Sequence, residues 1–270
     1  MKDIDKKRMV FAFYLNNKTF DNKFNQLHFK LLKKYINIFD EVIFGLIVDE
    51  DIDVEVINRF QCLMLSFYHK NIVFKIVENT NYRESLVFKK EVVDKMSKLD
   101  GLTFFGHNKG ISYADVTEDT LKWITALYYF NLGVELPYNG LNGKCFYGAL
   151  KSKDIFLEDY TKGSDVVLPK YNWVYCGTFF WGKYQEIDNV LNNMGRSVPG
   201  MYSRWFDEMF PGNVLEEFWG SCYGECDVSR KLVLGNNIDE YIASTYEGNE
   251  WVCSDFYEFY ENILKNEGIR

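Results

Sequence analysis

Four times in its first half the chain sets a short apolar run before a segment whose apolar residues recur every three or four positions. Residues 9–15 lead into a helical face of Phe24, Leu27, Leu31, Tyr35 and Ile38. Residues 42–48 lead into residues 54–68, and residues 71–77 lead into Phe88, Val92, Met96 and Leu99. A fourth run from Leu102 leads into Leu121, Ile124 and Tyr128. The runs have strand length, and the spaced segments have the 3.6-residue period of a helix with one buried face. Strands separated by helices must cross over and pair in parallel, with right-handed connections and helices on both faces. The expected fold is therefore α/β, a mostly parallel sheet flanked by helices. No internal repeat is present.

The fourth run differs from the others in how it ends. Leu102-Thr-Phe-Phe-Gly, bounded upstream by Asp100-Gly101, passes directly into His107, Asn108, Lys109 and Gly110. Near-continuous apolarity fits a strand buried on both faces. The polar cluster then stands at the strand's carboxyl end, where open α/β sheets bind ligands and where the next helix offers free N–H groups to an anion. Asp115 and Glu118 have the spacing of a capping box for that next helix.

After Asn131 the alternation stops. Gly133, Pro137, Gly140 and Gly143 punctuate a loop, residues 145–150 read as a strand, and residues 151–163 read as a polar excursion. Residues 171–181 read as one aromatic strand around Gly177, and glycine inside a strand marks close approach of a ligand or of another backbone. Helices are expected near 184–194 and 204–209, with a terminal amphipathic helix carrying Cys253, Phe256, Tyr257, Tyr260 and Leu264 across the outside. The chain thus divides into a β/α half, 1–132, and an aromatic-rich mixed half, 133–270, of one domain.

Composition excludes several classes. No apolar run is long enough to span a bilayer, and the charged start followed by a short apolar stretch is not a secretory signal, so a cytoplasmic location is expected. A formal net charge of −8 argues against a protein devoted to polyanions, since Lys and Arg supply most affinity for nucleic acid. Six cysteines lack framework spacing and read as reduced thiols. The 23 Phe, 19 Tyr and 6 Trp fit an aromatic core, and would also suit a cleft that stacks on sugars or bases.

The order of features is similar to that of a family. Glu84 and Leu86 open a helix, a strand enters His107-Asn-Lys-Gly110, and a helix with Trp123 follows. Gly177-Thr-Phe-Phe-Trp181 and then Glu217-Phe-Trp-Gly220 complete the series. This resembles small glycosyltransferases of the GT-A type, which carry a His-Thr-Lys-Gly loop, a Gly-Asn-Phe-Trp-Trp segment and a terminal Glu-aromatic element. The likeness runs from about Met9 to Gly220. Asn108 stands where the family usually has Thr, and Thr178-Phe179 where it has Asn-Phe. The resemblance implies a GT-A-like fold and transfer of a sugar from a nucleotide donor to a glycan or glycoconjugate hydroxyl, as in polysaccharide biosynthesis.

Such a reaction needs charge to stabilise the departing diphosphate and a base for the acceptor hydroxyl. His107, Asn108, Lys109 and Gly110 occupy the place where enzymes of this fold often hold a metal ion through an Asp-x-Asp pair. Lys109 beside a helix N-terminus could supply that charge directly, with His107 donating a hydrogen bond. No metal ligand set is therefore assigned, and a divalent cation, Mn or Mg, is the one cofactor left open. Asp49-Glu50-Asp51 is its competing candidate, or else an acidic turn capping the next helix.

Glu217, matched to the family's Glu-aromatic element, is the expected base, with Glu208 and Asp207 behind it; desolvation among Phe218 and Trp219 would favour proton uptake. Arg204 either meets phosphate or pairs with Asp207. Tyr14 and Asn16, ending the first strand, are expected under the nucleobase. Gly177, Thr178, Phe179, Trp181 and Glu208 are expected at the acceptor, with Phe179 and Phe180 facing opposite ways. Two other functions stay open: sugar transfer onto hydroxymethylated pyrimidine in phage-type DNA, and a nucleotide-sugar or carbohydrate-binding module without turnover.

Overall fold

A computed structural model describes residues 6–79, 87, 101–108, 117–133, 146–147, 151–153, 173–175, 179–183 and 250–265. The four strands and three of the four helices read from the apolar runs are present: β1 (Lys7–Leu15), α1 (Lys23–Tyr35), β2 (Glu41–Val48), α2 (Val54–Phe67), β3 (Asn71–Glu78), β4 (Leu102–His107) and α3 (Glu118–Tyr128); the helix expected with Phe88, Val92, Met96 and Leu99 lies outside the described residues. Short strands β5 (Phe146–Tyr147), β6 (Lys151–Lys153), β7 (Trp173–Tyr175) and β8 (Phe180–Lys183) follow, and α4 (Glu250–Lys265) comes last. The main sheet has six strands in the order β3-β2-β1-β4-β8-β5, and β6 pairs with β7 apart from it. β1 to β4 are mutually parallel, whereas β8 runs antiparallel to both β4 and β5. The fold is α/β with a mostly parallel sheet flanked by helices.

Three local expectations are corrected. Residues 171–181 are not one strand: β7 and β8 belong to different sheets, and Gly177, which weakens a strand interior, falls between them in sequence. The expected polar excursion opens on strand β6. α3 is capped by Thr117, whose Oγ1 accepts from the Thr120 N–H at 3.2 Å, so Glu118 is the first helical residue rather than the third, which a capping box requires. The other described caps follow the usual chemistry, with Asn22 Oδ1 accepting from Asn25 N–H at 2.8 Å and Asp53 Oδ1 from Glu55 N–H at 2.9 Å.

Period-two alternation divides the sheet's side chains between two buried faces. Met9, Phe11, Phe13 and Leu15 of β1, with Val42, Phe44 and Leu46 of β2 and Phe104 of β4, face α1, α2, α3 and the inner side of α4. Phe11 and Phe13 sit at the centre, ringed by His28, Phe44, Phe60, Tyr128 and Phe179. Phe256, Tyr260 and Leu264 bring α4 onto this layer, and the Tyr260 hydroxyl donates to the Glu118 carbonyl at 3.4 Å.

Val10, Ala12, Ile43, Ile47 and Phe105 point to the other face and are equally buried, as a strand run without polar interruption requires. Val87 is seated there over Gly45. A Cβ on Gly45 would stand 2.2 Å from Val87 Cγ1, so this close approach needs glycine. Val87 belongs to the β3–β4 connection, which runs back across the sheet; a right-handed return places it on the face opposite α1 and α2. Among the described residues no helix is long and apolar enough to cross a membrane.

Candidate active site

The strand order dictates where a crevice opens. The chain moves from β1 outward to β2 and β3, then returns to lay β4 on the other side of β1, so the connections leave β1 and β4 in opposite senses. The carboxyl ends of β1 and β4 flank this switch point, where open α/β sheets bind ligands. Tyr14 and Asn16 end β1, Asp49 follows β2, Asn79 follows β3, and His107 and Asn108 end β4.

Hydrogen bonds join these ends into one polar group. The Tyr14 hydroxyl donates to Asp49 Oδ2 at 2.5 Å, and Asn79 Nδ2 donates to Asp49 Oδ1 at 2.7 Å. Asn16 Nδ2 reaches the Tyr14 hydroxyl at 3.3 Å, while Asn16 Oδ1 accepts from the N–H groups of Lys18 and Thr19, both at 2.9 Å, shaping the loop after β1. Asn17 ties that loop to the one after β2, donating to the Asp51 carbonyl at 3.0 Å and accepting from Asp53 N–H at 2.8 Å. A carboxylate offers about four lone-pair directions, so with one donor on each oxygen among the described residues two remain on Asp49. Tyr14, Asn16 and Asp49 are half-buried, which leaves the group reachable.

The expected site residues separate into three sets. Tyr14, Asn16, His107 and Asn108 are gathered at one edge. His107 is partly exposed, and its ring lies 6.4 Å from that of Phe179. Asn108 is only 3% exposed, with its carboxamide engaged by protein groups, so a direct contact with nucleotide is corrected to an internal role.

The second set is interior. Trp181 is 1% exposed, stacks on Phe39 at 5.6 Å and donates its indole N–H to the Asn131 carbonyl at 3.0 Å. Phe179 meets Phe11, Phe104 and Tyr128 edge-on. Neither ring has a face for a sugar, and the acceptor contacts expected of Phe179 and Trp181 give way to core packing. Phe180 does face the opposite side, stacked on Phe105 at 4.8 Å.

The third set, Lys109, Gly110, Gly177, Thr178, Arg204, Asp207, Glu208 and Glu217, lies outside the described residues.

No cluster of three or more His, Cys, Asp or Glu that could hold a divalent cation occurs among the described residues, and Asp49 would enter such a site with two of its four lone-pair directions already taken by Tyr14 and Asn79.

No family model matches the chain. No curated protein matches it. Among solved structures it is similar to the mannosyltransferase Ktr4p from S. cerevisiae, at 10% identity and a TM-score of 0.30, over 69% of this chain and 60% of that one. The same protein in complex with GDP gives 11% identity and a TM-score of 0.31, over 68% of this chain and 60% of that one. Core-mannan synthase A (CmsA/Ktr4) from Aspergillus fumigatus, in its Mn/GDP form, gives 11% identity and a TM-score of 0.31, over 80% of this chain and 67% of that one. This chain therefore spans 60% of the length of the yeast protein. No site residue is assigned from these likenesses.

Sequence reasoning missed Asn79 and Asn25, and it placed Asp49 only as a metal or capping residue. The available signal was positional: Asp49 and Asn79 each follow directly on a parallel strand.

Proposed function

We propose that the chain is a glycosyltransferase of GT-A type that moves a sugar from a nucleotide donor to a glycan or glycoconjugate hydroxyl. The observation that carries this reading is the Tyr14–Asp49–Asn79 group at the carboxyl edge, beside the switch point between β1 and β4. A half-buried carboxylate with free lone pairs accepts N–H groups from a base edge, as the N3–H of uracil or the N1–H and amino group of guanine would provide. Tyr14 gives that base a ring to lie against. The diphosphate then extends toward His107 and Lys109, whose charge and hydrogen bonding stabilise the negative charge that grows as the sugar–phosphate bond breaks. The acceptor oxygen attacks the anomeric carbon, the bonding electron pair leaves with the diphosphate, and the hydroxyl proton passes to Glu217. Arg204 adds charge at the phosphates, and Gly177, Thr178 and Glu208 remain the acceptor side of the reading.

A thermal-shift panel of uracil, guanine and adenine nucleotide sugars tests this, because a ligand that binds only the folded chain raises its melting temperature with occupancy. The expected result is stabilisation by a uracil or guanine donor, absent in Asp49→Asn. Nucleotide-sugar hydrolysis then separates an enzyme from a binding module: turnover should be lost in Glu217→Gln. Indifference to every member of the panel would overturn the assignment.

A further inference from the structure

Resting on the nucleotide-sugar reading, we propose that Asn108 is a positioning residue: it fixes the backbone of Tyr14 and so sets where the phenol stands against Asp49 and the donor base. β1 and β4 pair along their length, and the last backbone rung is Asn108 N–H to the Ala12 carbonyl at 3.2 Å. In a parallel strand the N–H and C=O of alternate residues point the same way, so those of Tyr14 face β4 just where β4 ends. The Asn108 side chain supplies the missing rung. Its Oδ1 accepts from Tyr14 N–H at 2.8 Å and its Nδ2 donates to the Tyr14 carbonyl at 2.8 Å.

A carboxamide is needed for this, because it carries a donor and an acceptor in one plane, as a peptide does. Threonine, usual at this position in the family the sequence resembles, carries donor and acceptor on a single oxygen and cannot span the two groups as a carboxamide does. The second Nδ2 proton goes to Asn25 Oδ1 at 3.2 Å. Asn25 is fully buried on α1, and its own Nδ2 donates to the Thr19 carbonyl at 2.9 Å. One side chain thus joins the strand that precedes Lys109, the strand that carries Tyr14, and the loop shaped by Asn16.

The test measures dissociation constants for GDP and UDP, with and without Mn²⁺, by isothermal titration. The chains are the wild type, Asn108→Thr, Asn25→Ala, Tyr14→Phe and the Tyr14→Phe/Asn108→Thr double variant. Asn108→Thr should weaken the nucleotide that binds by about tenfold, the worth of roughly one hydrogen bond's geometry. Asn25→Ala, which removes the links to Asn108 and to the Thr19 carbonyl but leaves both Asn108–Tyr14 bonds in place, should weaken binding less than Asn108→Thr while still lowering stability.

The double variant should lose less than the sum of the two single losses, because the part of Asn108's effect that passes through the phenol's hydroxyl is already gone. Should Asn108→Thr fail to fold, the isosteric Asn108→Asp keeps the acceptor, loses both donors and answers the same question. Wild-type binding that Asn108→Thr and Asn108→Asp leave within about twofold, or additive losses in the double variant, overturn the positioning role alone. A wild type that binds neither nucleotide overturns the nucleotide reading, and this inference falls with it.

Discussion

The two ends of the same four parallel strands are built from different chemistry. At the amino end the polar groups are charged and paired with opposite charge. Arg8, fully buried on β1, donates its Nε–H to Glu41 Oε2 of β2 at 3.0 Å, and Glu41 Oε1 accepts from Asn71 Nδ2 of β3 at 3.0 Å. Lys7 N–H donates to Asp40 Oδ2 at 2.9 Å, and Lys70 Nζ caps the Phe39 carbonyl at 2.9 Å. At the carboxyl end one carboxylate, Asp49, is held by a phenol and an amide, and no cation pairs with it among the described residues. Among the described residues the amino-end carboxylates Asp40 and Glu41 are answered by donors of the protein itself, whereas lone pairs left free on the half-buried Asp49 can meet the N–H groups of a ligand.

Breaking the amino end should have the largest effect on stability and none on binding. Among the described residues the Arg8 Nη atoms have no hydrogen-bond partner, so Glu41 is its one counter-charge there. Glu41→Ala leaves a buried guanidinium uncompensated and should destabilise by roughly 3–5 kcal/mol in denaturant unfolding. The Arg8→Met/Glu41→Leu pair, which removes both charges, should recover most of that loss. Nucleotide affinity should not move in either; if it does, the two ends are coupled and the comparison fails.

The carboxyl end should respond the other way. Asp49→Asn keeps the shape and loses one internal acceptor, so stability should fall by only about 1 kcal/mol. Binding of a uracil or guanine nucleotide should weaken by about tenfold or more, because the amide's N–H now opposes the base's own donor. Equal losses of stability and affinity would mean that Asp49 is a structural tie like Glu41.

How much of this was legible follows from the range of each signal. The β–α alternation and the polar ends at Tyr14 and His107 are written in local periodicity, which a helix or a two-faced strand imposes on neighbouring residues. The inward turn of Trp181 was legible too: once Phe179 and Phe180 face opposite ways, Trp181 must share the side of Phe179, and that side is core. The Asn108–Tyr14 and Asn108–Asn25 bonds span 94 and 83 residues, and nothing local in the sequence of either partner marks them. The aromatic excess suited a sugar-stacking cleft and a packed core alike, and in Phe179 and Trp181 the core took it.

The smallest effect is silent at neutral pH and reads the amino end from a different side. The Tyr68 hydroxyl donates to the Phe39 carbonyl at 3.2 Å, and its pKa is pushed up to about 12, first by burial and then by the Asp40 and Glu41 carboxylates. Because the folded value lies above the unfolded value of about 10, the native state holds this proton more tightly, and its contribution is complete below the unfolded value. Stability should then decline as pH rises from 10 toward 12, since the unfolded chain can release a proton that the folded one retains.

Tyr35, Tyr128 and Tyr129 are raised as well, chiefly by burial, so among the described residues the alkaline decline is shared by Tyr68 and these three phenols. Ultraviolet titration of Tyr68→Phe against wild type isolates its step. Glu41→Ala should shift that step down only slightly, because burial is the leading cause and Glu41 the third. A large downward shift would show instead that charge, more than enclosure, governs the amino end, and the contrast with Asp49 would lose its physical basis.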